Sequence, residues 1–220
     1  MLTDIEIQSN KDRFLDLVKG ITRNGIDMDR LIAQLTESDF FEAPASAYYH
    51  HAFKGGLCLH SLNVYDSLKK LCSAFYTSVD PESSEASDVE CPYSEDSIRI
   101  VSLFHDFDKI NKYELSFRNK KVYSETGSKY DELGKYEWVS VPEYKRKDDK
   151  DIFILGTHGE NSVYMTETFI PLSTEEHAAI LAHHSVYDNP KANITGIYSR
   201  YHLACLLHTA DMISTYILES

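Results

Sequence analysis

Cysteine is scarce and scattered: the four, Cys58, Cys72, Cys91 and Cys205, include no Cys-x-x-Cys pair. That spacing excludes a zinc knuckle and a disulfide framework, and a reducing cytoplasm is the expected setting. Long apolar runs are missing as well. None approaches the roughly 18 residues that span a bilayer, and the acidic start from Met1 to Ile7 lacks the apolar stretch of a signal peptide. Net positive charge is a third absence. At −13 the chain has no global potential to draw phosphate backbones or anionic lipid, so neither non-specific nucleic-acid binding nor a membrane partner is expected.

What is present suits a globular protein. Hydrophobic residues at 42% and charged residues at 26% are ordinary, and 220 residues suffice for one domain, expected over 1–220, with a substantial core. Residues 4–20 and 26–38 read as amphipathic helices through Phe14, Leu15 and Val18, then Met28, Leu31, Ile32 and Leu35. Gly55-Gly56 opens a third helix running from about Leu57 to Tyr76, with His60 on its inner stripe one turn before Val64. Residues 78–96 hold seven acids and no base, the composition of a flexible, solvated loop. Ser94 then caps a helix that carries Ile98, Val101, Leu103 and Phe104 up to His105 and Asp106. From 113 to 153 the pattern turns to short β-prone pieces, read as a small β-hairpin or lid inserted into an otherwise all-α helical bundle. Helices resume over 159–169, 173–185 and about 198–218.

Adjacent polar residues at the end of an apolar helix need a partner. Successive helical side chains point about 100° apart, so His105 and Asp106 reach one ion only at their shared edge. Further ligands exist at His60, at His158, in the tandem His183 and His184, and at Asp211 in the last helix. A thiol-free set of imidazole and carboxylate suits a divalent transition metal, Mn, Fe, Co, Ni or Zn. His60, His105, Asp106 and Asp211 would hold one ion. If Asp106 bridges, His158, His183 and His184 would hold a second, and the pair would generate a hydroxide able to attack phosphorus.

Other candidates surround this set. His208, one turn before Asp211, either orients that carboxylate or is a hydrogen-bonded histidine of the core behind the ligands. His50 and His51 either line the pocket or pack at the surface; His177 and His202 read as structural or exposed. Asp106 and Lys109 are the expected catalytic pair. Lys109 and Lys112 lie within reach of the same helix end, as cations for a substrate phosphate. Residues 109–150 hold 9 Lys and 2 Arg against 8 acids, for +3, so a local anion site is expected there, with Arg118, Lys121 and Arg146 as substrate-binding groups. Tyr123, Tyr136, Trp138 and Tyr144 are available to stack a base or to pack the hairpin.

The order His60, His105-Asp106, Asp211 resembles the signature of the HD superfamily of metal-dependent phosphohydrolases. The segment from His50-His51 through Gly55-Gly56-Leu57 to His60 is similar to the opening of the HD domain in bacterial 3′-to-5′ exoribonucleases and relaxase-associated proteins. His105-Asp106 with Lys109 is similar to their His-Asp-x-x-Lys motif, and phage and prophage HD-family hydrolases share the Thr157-His158-Gly159-Glu160 piece. Asp108 and Ser185 stand where that family usually has Gly. The resemblance spans about residues 44–215 and implies an all-α HD fold, bound divalent metal and hydrolysis of a phosphoester. The expected substrate is a small nucleotide, cyclic nucleotide or short oligonucleotide. The alternatives are a 3′-to-5′ single-strand nuclease and a non-catalytic nucleotide-sensing or interaction module with a structural metal site.

Overall fold

The computed structural model describes residues 1–76, 91–185, 190 and 193–219. Most of the expected acidic loop, 77–90, lies outside the described residues. Helix α1, Asp4–Lys19, starts at a reciprocal cap in which the Thr3 hydroxyl accepts from Glu6 N and the Glu6 carboxylate accepts from Thr3 N. Helix α2, Met28–Glu37, is capped by Asp27. Together they deliver Phe14, Val18, Leu31 and Leu35 to full burial.

Helix α3, Gly56–Tyr76, runs through the core. Both glycines before it are required. Gly55 has φ +82°, and a Cβ on Gly56 would lie 2.1 Å from the His51 carbonyl oxygen. That close approach lays the 50–51 loop on the helix and brings the His50 ring to 4.7 Å from that of His60. Helix α4, Glu95–Phe104, begins where the Ser94 hydroxyl accepts from Ser97 N and ends in His105. A 3₁₀ turn, Phe107–Lys109, follows. Beneath it, Phe14 packs against Phe40 at 4.8 Å and Phe104 at 6.1 Å, and Phe104 against Phe107 at 5.2 Å between ring centroids.

The all-α bundle with a small hairpin is not what forms. Eight α-helices among the described residues accompany a three-stranded antiparallel sheet of order β1-β3-β2. Its strands are β1 (Tyr113–Tyr123), β2 (Lys129–Asp131) and β3 (Gly134–Arg146). The β1/β3 ladder pairs every residue from Tyr113↔Arg146 to Tyr123↔Tyr136. At about 3.3 Å per residue, its 11-residue first strand is roughly as long as a small domain is wide. Short β-prone pieces concealed this because Arg118 to Lys121 is polar on both faces, yet backbone pairing runs straight through it. Strand β2 is three residues long, too short to show alternation, and the chain turns back into β3 at Gly134, φ +125°. Pro142, which has no N–H to give, is tolerated because β2 covers only the start of β3 and leaves that edge open.

Helices α5 (His158–Glu167) and α6 (Thr174–Ala182) both open with capping boxes, at Thr157/Glu160 and Ser173/Glu176. The single helix expected over 198–218 is instead α7 (Ile194–Arg200) and α8 (His202–Ile213), broken where Tyr201 takes φ −123° and ψ 86°, with a π-helical turn at Ser214–Leu218. No helix among the described residues is long and apolar enough to cross a membrane.

Arg23, between α1 and α2, grips buried Glu176 with two guanidinium hydrogen bonds. Burial alone would raise the Glu176 carboxyl, but Arg23 and the Ser173 backbone N–H hold it below its ordinary value. A depressed carboxyl stabilises the fold above the unfolded value near about 4.3, and this is lost as pH falls through the folded one. Glu176→Gln, which keeps the cap geometry, is therefore expected to lose about 2 kcal/mol at pH 7 and much less near pH 3. Urea unfolding at the two pH values checks this; equal losses at both would show that the charge is not responsible.

Candidate metal centre

The Asp106 carboxylate lies between two pairs of imidazoles. On one side His60 Nε2 and His105 Nε2 each approach Oδ2 at 3.5 Å and lie 3.2 Å from each other. On the other side His158 Nε2 and His183 Nε2 approach Oδ1 at 2.7 and 3.6 Å, again 3.2 Å apart. Asp211 closes the first side, its Oδ1 3.2 Å from His60 Nε2, and its Oδ2 is 4.0 Å from His184 Nε2. The elements bring these groups together as follows: α3 supplies His60, the end of α4 supplies His105 and Asp106, the first residue of α5 is His158, the end of α6 supplies His183 and His184, and α8 supplies Asp211. His60, His105, Asp106 and His183 are essentially inaccessible to solvent.

The outer ring nitrogens are all engaged. His60 Nδ1 donates to Glu219 at 3.0 and 3.1 Å, His105 Nδ1 to the Ser102 carbonyl at 2.8 Å and His183 Nδ1 to the Ile180 carbonyl at 2.6 Å. His158 Nδ1 lies 2.6 Å from Asp108 Oδ1. Acceptors on the outside place the ring proton on Nδ1 and turn the Nε2 lone pairs inward. Two lone pairs at 3.2 Å repel unless a positive charge accompanies them, so each imidazole pair calls for one cation. This is the arrangement by which carboxylates and carbonyls orient metal-binding histidines.

Compared with known proteins, the chain matches no family model, no curated protein and no solved structure.

The geometry therefore speaks for itself: the buried His/Asp clusters could hold a metal ion. His60, His105 and Asp106 form one such group and Asp106, His158, His183 and His184 another. In the metal-free protein protons fill the role. Burial would lower His60 and His158, but Asp211 and Glu219 raise the first to about 10, and Asp108 and Asp106 raise the second to about 9. Burial dominates at His105, which falls to about 3. Asp106 resists its own burial because Lys109 and His105 hold its carboxyl well below the ordinary range.

Metal must displace the two protons. Loading near pH 7 is expected to release about two per chain, with affinity rising as pH climbs toward 9 to 10. Calorimetry in buffers of different ionisation enthalpy measures this, and binding without proton release would contradict it. Because both histidines are raised, their contribution to the metal-free fold is fully present below the unfolded value near about 6.5. It is lost as pH rises through about 9 to 10.

The cations expected to meet substrate are otherwise occupied. Lys109 is buried and donates to Asp106 Oδ2 at 2.6 Å, so it holds the central carboxylate. Lys112 donates to Asp108, and Arg118, Lys121 and Arg146 pair with Glu143, Asp131 and Asp149 on or beside the sheet. His208 is directed away from orienting Asp211: its Nδ1 donates to the His183 carbonyl at 2.5 Å and its ring stacks on Tyr198. It positions the tandem histidines instead. Tyr136 packs tilted against Tyr123 and at a right angle to Trp138 along the sheet. His177 pairs with Glu167 at the surface, and His202 is exposed.

Two functional positions were invisible in sequence. Glu219 has a fully buried carboxylate that also accepts from Asn63 Nδ2 at 2.9 Å. Nothing local separates it from the other 34 of the chain's 35 acids. Asp108, where the resembled family has Gly, is a buried brace shared by His158 and Lys112, and its backbone shows no positive φ. Ser185 does take the left-handed conformation, φ 55°, as do His51 and Asn111. All three flank the site, where such strain tends to collect. Removing the Glu219 brace by Glu219→Ala is expected to weaken metal binding about 10- to 100-fold, measured by competition with a chromogenic chelator; unchanged affinity would show that His60 needs no brace.

Proposed function

We propose that this chain is an HD-type metal-dependent phosphohydrolase that cleaves a phosphoester of a small nucleotide, cyclic nucleotide or short oligonucleotide. One observation carries the reading: a single buried carboxylate, Asp106, with two inward-facing imidazoles on each of its oxygens. Two divalent transition ions would suit this donor set, one held by His60, His105, Asp106 and Asp211, the other by Asp106, His158, His183 and His184. When bound, such ions supply Lewis acidity that activates water and neutralises charge on phosphoryl oxygens.

The chain's own residues prepare the ground for that chemistry. Asp106 shares one charge between both positions, and Lys109 keeps it ionised and fixed. Glu219, the Ser102 and Ile180 carbonyls and Asp108 hold four imidazoles in one tautomer, so little reorganisation accompanies binding. Burial of His60, His105 and His183 shields the ligand cluster from bulk water on its inner side.

Elemental analysis after reconstitution with Mn, Fe, Co, Ni or Zn, combined with a nucleotide phosphoester panel, tests the proposal. About two ions per chain and turnover that a chelator abolishes and metal restores are expected. No bound ion, or metal without turnover of any ester, would overturn it.

A further inference from the structure

A cavity of about 480 Å³ opens beside the metal centre. His183, His184 and Asp211 form its inner wall, and Tyr49, Met212 and Tyr216 its outer one. Those three outer side chains are 86%, 37% and 66% exposed, although each is large and largely carbon. The volume lies within the range of small-ligand pockets.

Among the described residues no lysine or arginine lines this cavity, and the formal charges there other than histidine are the carboxylates Asp211 and Glu219. Lys109, Lys112, Arg118, Lys121 and Arg146 are each committed to a carboxylate elsewhere. A phosphate held at the ions would be neutralised there. A second or third phosphate would extend toward aromatic and acidic groups with no described lysine or arginine beside it, at a cost in desolvation and repulsion. An aromatic or aliphatic body would instead cover Tyr49, Met212 and Tyr216.

We propose that the cavity selects esters carrying one phosphate on an aromatic or apolar body and discriminates against polyphosphates. This deepens the phosphohydrolase reading and rests on it for the reaction. In that reaction water supplies the new oxygen on phosphorus, the ester P–O bond breaks, and the departing alcohol takes up a proton as phosphate leaves.

The test uses the Mn-loaded full chain and two non-hydrolysable probes, phenylphosphonate and methylphosphonate, titrated by calorimetry, alongside turnover of a nucleoside monophosphate and its triphosphate. Phenylphosphonate is expected to bind at least about tenfold more tightly than methylphosphonate. The double variant M212A/Y216A, with unchanged metal content, is expected to retain less than about a threefold preference. Equal affinity of the two probes in the wild type overturns the cavity assignment, as does a preference that survives the double variant or triphosphate turnover equal to monophosphate turnover. A clear phenyl preference with no turnover of any ester supports the cavity and overturns the hydrolase reading alone. Binding of neither probe overturns both.

Discussion

Asp106→Ala is expected to empty both metal positions at once and to lower phosphoester turnover at least about a thousandfold, the largest functional effect of any single change in the chain. The reason is geometric. Each oxygen of this carboxylate serves a different imidazole pair, so its removal takes a ligand from both groups. His184 or Asp211 substitution would touch the edge of the centre and leave the other ligands in place. The alanine variant also strands the Lys109 ammonium, which burial disfavours and Asp106 holds above its ordinary value. Lost stability therefore has to be separated from lost chemistry. Asp106→Asn does so, since its amide oxygen still accepts from Lys109 while the negative charge and one acceptor oxygen are gone. Elemental analysis, turnover and urea unfolding on both variants decide the matter. Two ions retained in Asp106→Asn with full turnover would sink the bridging role.

Phe14→Ala is expected to cost about 3–5 kcal/mol, the largest effect on stability. Phe14 is fully buried and meets the rings of Phe40, Phe41 and Phe104 within 4.8 to 6.1 Å. Deleting it removes apolar area and leaves a cavity that three ring systems cannot collapse to fill. At about 1–3 kcal/mol per molar urea, the midpoint should fall by at least about 1 M. Phe14→Leu refills most of the volume and is expected to lose only about 1–2 kcal/mol. Phe104 and Phe107 link this cluster to His105 and Asp106, so weakened metal binding should accompany the loss in Phe14→Ala. A midpoint within about 0.3 M of wild type would show that the cluster is not the keystone of the core.

Helix starts were legible because they are local. Thr3, Ser94 and Ser173 each accept from a backbone N–H three residues on, a contact that depends on four consecutive residues. The sheet was only half legible. β-Prone composition marked residues 121–124 at the end of β1 and 136–142 within β3, but pairing through the polar stretch from Arg118 to Lys121 rests on backbone hydrogen bonds that side-chain pattern does not report. The break at Tyr201 was hidden for a similar reason: apolar spacing runs across it, and the change of direction is set by packing against α6 and α8.

By itself the sequence determined which groups are available and in what chain order: a thiol-free set of histidines and aspartates, each embedded in apolar helix, with Gly55-Gly56 needed for the helix that carries His60. Residue type and local spacing suffice for that, because donor chemistry and helical periodicity are short-range properties. Only the tertiary structure decided how the groups pair. His60 meets Glu219 across 159 positions and His158 meets Asp106 across 52. It also decided that the basic residues expected to grip phosphate are held by carboxylates of the sheet and of the helix end. A charged side chain's role follows from what lies within a few ångströms of it and how far water is excluded, and both are set by the packing of elements distant in the chain.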